Sequence, residues 1–225
     1  VNQFQKIAQR AIQNSQKQSL TTDNKDDYKY HLKCLKKELV TGIPNRFDHK
    51  NFDNYKLDKS GLKDKVAGIK EYSKNYKDYL DNGQAVYLFG NVGNGKTHLA
   101  ISLAKDIVAR EAKKRADKAK AKNKLRTKGF FTNRRAKTLV RFIEGPSFFQ
   151  SIRDSFDNDS QDNQSALMDR VKKVPVLVWD DILAEKPTEW LLEQMHIIIN
   201  YRCLNELRTI FTSNLPIDHF KKLAQ

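Results

Sequence analysis

Apolar positions along this chain follow two rhythms, one helical and one made of short continuous runs. Val1, Phe4, Ile7, Ala8, Ala11 and Ile12 form a helical stripe within residues 1–20. Tyr28, Leu32, Leu35 and Leu39 follow at offsets of four, three and four, which predicts a second helix ending near Gly42-Ile43-Pro44. Leu62, Val66, Ile69, Tyr72, Tyr76 and Tyr79 predict an amphipathic helix over 60–80, stopped by Asp81-Asn82-Gly83. Ala85–Phe89, Thr138–Ile143, Val174–Trp179 and Thr209–Thr212 are short and almost wholly apolar, as buried parallel strands are. Helices are expected from about Lys96, over Pro146–Phe156, over Ser165–Lys173, over Thr188–Cys203 and from Ile217 onward. In the fourth of these Trp190, Leu191, Met195, Ile198 and Ile199 face inward, and Asp157–Gln164 reads as a loop. Strands alternating with helices predict an α/β fold, a parallel sheet covered by helices on both faces.

Length and charge divide this outline. The 225 residues suffice for one α/β domain, 45–225, and a small helical N-terminal segment, 1–44. That segment is too short for much of a core and is expected to bind a partner. The net charge of +15 is concentrated in residues 105–141, where 15 Lys and Arg face Asp106, Glu111 and Asp117. A polyanionic partner is one reading of this basic insert, with Phe130 and Phe131 placed to stack on bases and Arg134 and Arg135 to meet phosphates. A solvated Lys/Ala helix is the other. No apolar run is long enough to cross a membrane, and the Gln- and Lys-rich start lacks a signal-peptide pattern. A start at Val1 rather than Met fits a processed chain. Cys34 and Cys203 stand far apart, so two reduced thiols and a cytoplasmic setting are expected rather than a disulfide or a zinc knuckle.

Three motifs bring chemistry. Gly90-Asn91-Val92-Gly93-Asn94-Gly95-Lys96-Thr97, followed by His98, satisfies the phosphate-loop pattern between an apolar strand and a helix. Its glycines let backbone N–H groups curl round phosphates at a helix N-terminus. Lys96 should reach the β- and γ-phosphates and Thr97 should hold Mg²⁺. Asp180 and Asp181 end the apolar run Val-Pro-Val-Leu-Val-Trp. Asp180 would hold Mg²⁺ with Thr97, and Asp181 would polarise an attacking water. Asn214 ends the next apolar run and suits orienting that water or sensing the γ-phosphate. The expected ligands are therefore ATP or ADP with Mg²⁺, and the catalytic candidates are Lys96, Asp181 and Asn214. A small-molecule kinase also uses a phosphate loop, but the paired acids and Asn214 favour water as the nucleophile. In the predicted helix Pro146–Phe156 most aromatics are at core spacing, while Arg153 and Phe156 near its end are candidates for contacting single-stranded nucleic acid.

The order of motifs resembles the AAA+ helicase-loader family of the DnaC/DnaI type, from bacteria or bacteriophages, and the related IstB-type transposition ATPases. The resemblance rests on Phe52-Asp53-Asn54-Tyr55, on the phosphate loop with His98-Leu99-Ala100, and on Trp179 to Trp190. Ile199-Asn200-Tyr201-Arg202 and Ile210 to Leu215 complete it, over about residues 46–220. It implies a three-layer AAA+ core that loads a hexameric replicative helicase onto DNA and uses ATP as a switch. It further implies binding of single-stranded DNA through the helix 146–156, helicase contact through the N-terminal segment, self-association through the core, and Phe52–Tyr55 near the adenine. The family's fifth strand, arginine finger and lid would lie beyond Gln225, so a fragment, or a variant that cannot build a complete inter-subunit site, with weak turnover is expected. Two alternatives stand beside the loader: a transposition helper ATPase, and a nucleotide-binding adaptor without turnover.

Overall fold

A computed structural model describes residues 25–56, 62–76, 85–122, 124–125, 136–157, 161–182 and 188–218. The helical stripe of residues 1–20, the predicted break at 129–133 and most of the final helix lie outside them. Helix α1 covers 25–38, α2 Leu62–Lys74, α3 Lys96–Ala121, α4 Gly145–Asp157, α5 Gln161–Lys172 and α6 Glu189–Leu204. The strands are β1 (Val40–Thr41), β2 (Val86–Phe89), β3 (Val140–Glu144), β4 (Val176–Asp180) and β5 (Arg208–Ser213). They form one parallel sheet in the order β1-β3-β4-β5-β2.

Position in the sheet explains the composition of each strand. β4 is central, and its Val-Leu-Val-Trp-Asp is buried throughout, as an inner strand covered on both faces must be. Three expectations need correction. Ala85–Phe89 reads as a buried strand, yet β2 lies at the sheet's end among the described residues, half-buried, with Phe89 58% exposed. Residues 157–164 read as a loop, yet α5 already starts at Gln161; polar residues there gave no apolar period to detect. β1 is absent from the hydrophobic pattern because it is only two residues long. It stops at Gly42, whose φ of +86° and packing against the Phe142 carbonyl leave no space for a Cβ.

One face of the sheet packs on α4, α5 and α6 through Ile143, Phe149, Ile152, Val171, Leu177 and Trp179, with Met195 and Ile198 from α6. Thr188 caps α6 by accepting a hydrogen bond from the Leu191 amide. Arg202, 1% exposed, anchors this layer. Its guanidinium donates to the carbonyls of Val171 (2.9 Å), Lys172 (3.2 Å), Val174 (2.8 Å) and Arg208, and its Nε to Thr209 Oγ1 (2.9 Å). The first two carbonyls belong to the end of α5, where helical partners run out. Burial pulls the guanidinium down to about 9, so it stays charged at neutral pH.

The chain divides into two compact units. One, Leu39–Ala109 with Lys137–Gln225, holds the sheet. The other joins Val1–Glu38 to Arg110–Ala136. In this second unit Tyr28 of α1 donates to Asp117 of α3 at 2.6 Å, and the Glu38 carboxylate accepts from the Ala136 amide at 2.7 Å. His31, Leu35, Ala112 and Ala116 are buried.

Candidate nucleotide site

The strand ends of β2, β4 and β5 and the start of α3 converge on one cleft of about 1490 Å³. Val92, Gly93, Asn94, Gly95, Lys96, Thr97, His98, Asp180, Asp181 and Asn214 all line it. Gly90 and Asn91 contribute their carbonyls, which accept from Lys96 Nζ at 2.8 and 3.0 Å. The third N–H of Lys96 goes to Asn214 Oδ1 at 2.9 Å. Gly93 and Gly95 take φ of +82° and +76°, which turns successive backbone groups around the loop. A Cβ at Gly95 would stand 2.6 Å from Tyr55 Cε2.

The acids meet the loop through hydroxyls. Thr97 Oγ1 donates to Asp180 Oδ2 at 3.1 Å, and Thr212 Oγ1 donates to Asp180 Oδ1 at 2.7 Å. Thr212 Oγ1 in turn accepts from the Asp181 amide at 2.8 Å. Asp181 sits at φ +56°, a left-handed turn that ends β4 and breaks its side-chain alternation. Asp180 is 7% exposed. Burial pushes its carboxyl above the usual range; the Thr212 and Thr97 hydroxyls pull it back, while Asp181 and Glu144 add to the rise.

A segment ahead of the sheet closes one side of the loop. Tyr55 OH donates to the Asn94 carbonyl at 2.9 Å, and its ring meets His98 edge-on at 5.1 Å. His98 Nε2 lies 2.8 Å from the Asn51 carbonyl and 3.0 Å from Asn54 Oδ1; both are acceptors, so Nε2 carries the hydrogen. Burial lowers the His98 pKa, and the charges of Lys50, His49 and Lys105 act the same way against its bond to Asn51. Lys105 gives its three N–H groups to the carbonyls of Phe47, Asp48 and Lys50 at 2.9, 2.7 and 3.2 Å, pinning the segment to α3. Thr212, Asn51 and Lys105 were not evident as site residues in the sequence: each acts through a partner distant in the chain, a relation no spacing encodes.

Not every candidate gathers here. Arg153 stands 5.0 Å over the Trp190 ring and lines a second cavity of about 310 Å³ with Phe149, Trp179 and Leu191. Asp181 lines both cavities. The Phe156 side chain, Phe130, Phe131, Arg134 and Arg135 lie outside the described residues.

A parallel sheet with a phosphate loop leaving one strand and paired acids ending another is the α/β arrangement seen in the structures of AAA+ helicase loaders. The residues fit a nucleotide with Mg²⁺: left-handed glycines at the loop, a hydroxyl and a carboxylate 3.1 Å apart, and a lysine among oxygen acceptors. The particular likeness is to helicase loaders. The solved structure of the DnaC helicase loader superposes with a TM-score of 0.58 at 23% identity, over 80% of this chain and 88% of that one. AMPPCP-bound DnaA from Aquifex aeolicus superposes with a TM-score of 0.53 at 22% identity, over 78% of this chain and 44% of that one. The chain is also similar to the replicative helicase loader DnaI of Bacillus subtilis (strain 168), 23% identical over 154 residues, 68% of this chain and 40% of DnaI. An uncharacterized protein of the same bacterium, YqaM, is 26% identical over 208 residues, 86% of this chain and 57% of YqaM. The chain spans about half the length of the curated relatives it matches. No protein-family model matches it.

Proposed function

We propose that this chain is the ATPase part of a helicase loader, which binds ATP or ADP with Mg²⁺, hydrolyses ATP slowly, and acts on a hexameric replicative helicase in a bacterial or phage-infected cytoplasm. One observation carries the reading: residues 83 and 118 positions apart meet at hydrogen-bond distance, Thr97 with Asp180 and Lys96 with Asn214. Chance motifs would not converge on one cleft.

Gly90 to Thr97 and His98 surround the polyphosphate, with Lys96 donating to its oxygens. Thr97 and Asp180 would hold the metal, which supplies charge neutralisation at the phosphates. Asp181 accepts a hydrogen bond from the attacking water, and Asn214 orients that water or the γ-phosphate. Thr212 fixes both acids at once, bonded to the side chain of one and the amide of the other. Single-stranded DNA would run along α4 at Arg153 and Phe156, the core would self-associate, and the N-terminal stretch 1–44 would contact the helicase. No described helix is long and apolar enough to cross a membrane.

The test pairs nucleotide binding with turnover. Lys96→Ala should lose ADP and ATP affinity, while Asp181→Asn should keep affinity and lose turnover with and without single-stranded DNA. Unchanged affinity in Lys96→Ala would refute the site. The loader role is tested by co-purification: a hexameric helicase should be retained by the protein, and failure to retain any would refute it while leaving the nucleotide site standing.

A further inference from the structure

Charge in this chain is partitioned with the fold. The unit of Val1–Glu38 and Arg110–Ala136 carries 20 of the 42 Lys and Arg but only 6 of the 27 Asp and Glu, +14 of the chain's +15. The unit that holds the sheet and the phosphate loop is left at +1. On α1, Lys25, Lys29, Lys33 and Lys37 recur every fourth residue and are exposed, a row of cations in steps of about 6 Å. On the distal half of α3, Lys114 and Lys118 continue to Lys122 just past the helix end, again exposed.

These rows are costly if they do nothing. Like charges at i and i+4 repel and destabilise a helix. The acids of the distal half of α3 are already engaged: Glu111 pairs with Arg115 at 2.7 Å, and Asp117 accepts from Tyr28. On α1, Lys29 stands 3.9 Å from Asp26 in an exposed pair. None of the exposed large apolar side chains among the described residues (Phe89, Val92, Ile197, Leu204 and Ile217) belongs to this unit. A membrane-surface helix would need such an apolar face to bury in lipid. A dense, regular polyanion needs none.

We infer that the unit formed by α1 and the distal half of α3 binds the phosphate backbone of a nucleic acid, separately from the nucleotide cleft and from Arg153 on α4. The N-terminal segment and the basic insert, which look like two features in the sequence, then share a polyanion-binding role beside the helicase contact proposed for residues 1–44. Binding of this kind is weakly selective for sequence and strongly dependent on salt.

The experiment is fluorescence anisotropy with the full chain, a labelled oligothymidylate and a labelled duplex, across a salt series. The quadruple variant Lys33→Gln, Lys37→Gln, Lys114→Gln and Lys118→Gln keeps helix-forming residues at exposed positions, and retained ADP affinity reports that the core is intact. For the single strand its slope of log K against log salt should be shallower by about 3, and for the duplex by about 4, with affinity at about 0.1 M salt at least roughly tenfold weaker. An unchanged slope and affinity, or no nucleic-acid binding by the unmodified chain, overturns the inference. So does loss of binding to phosphatidylserine vesicles in the variant with DNA binding intact. Arg153→Ala is run beside it: weaker single-strand binding there, with the quadruple variant unaffected, supports the α4 reading and overturns this one.

Discussion

Replacing Asp180 with Asn should stabilise the ligand-free protein while destroying its Mg²⁺ response. Asp180 is 7% exposed and beside two further carboxylates, Asp181 and Glu144. Stripping water from a buried carboxylate costs several kcal/mol. The two hydroxyl bonds it accepts return about 1.5–3 kcal/mol each, as hydrogen bonds to a charged group. The balance leaves a penalty on the order of 1–2 kcal/mol. Asn removes the charge and keeps both bonds. Thr212 must donate, because its oxygen already accepts from the Asp181 amide, so Asn Oδ1 faces Thr212. Thr97 then rotates its hydroxyl to accept from Asn Nδ2. A gain of this size raises Tm by about 2–8 °C in a domain of this length. The pH dependence has a definite sign. Because the folded carboxyl is raised, Asp180 contributes stability that is present below the ordinary carboxylate range and is lost as pH rises through the folded value. The advantage of Asp180→Asn therefore opens as pH rises above the ordinary carboxylate range and is complete above the raised folded value. Scanning calorimetry from pH 4 to 8 measures it, and a titration with ATP and Mg²⁺ should raise the Tm of the unmodified protein but not of the variant. A lower Tm in the variant at neutral pH, or a difference independent of pH, would refute the reasoning.

Thr212→Val should weaken Mg²⁺-dependent nucleotide binding and cost about 1–3 kcal/mol, since it strands the Asp181 amide, and Thr212→Ser should restore both; denaturant titration and nucleotide affinity read the two effects. Arg202→Met should cost about 3–5 kcal/mol in denaturant unfolding by leaving several buried carbonyls without donors. Arg202→Lys should recover only part, because three N–H groups on one nitrogen cannot serve five acceptors; full recovery would contradict the anchor. Gly95→Ala should cost about 1–2 kcal/mol for its left-handed backbone alone and lose nucleotide affinity, with Tyr55→Ala in the same chain relieving the 2.6 Å collision but not the backbone strain. Isothermal titration with ADP separates the two contributions.

The parts of this molecule that were legible in advance are those written into consecutive residues. The Gly90–Thr97 loop, the Asp180-Asp181 pair at the end of an all-apolar strand and Asn214 each stand where strand meets turn, and the cleft unites them. What escaped depends on partners far apart in sequence. Thr212 matters because its oxygen bonds both the last residue of β4 and the turn residue after it. Lys105 reads as one more charge of a basic stretch, yet it binds three carbonyls more than fifty residues earlier. β2 has the apolar composition of an inner strand, but sheet order is fixed by crossovers that a local pattern does not report. The union of residues 1–38 with 110–136 is of the same kind: each stretch is visible alone, and only three-dimensional packing makes them one body.

Asp181 faces two cavities, the nucleotide cleft and the smaller space under α4 that Arg153, Trp179 and Leu191 line. In the terms of enzyme inhibition, this separates affinity from turnover. The residues proposed to hold nucleotide by its phosphates, Gly93 to Thr97, border only the large cleft. A compound seated in the small cavity meets Asp181, the residue proposed to act on water, without touching the phosphate loop. It would lower the maximal rate and leave the half-saturating ATP concentration unchanged, a noncompetitive pattern set by one residue shared between two spaces.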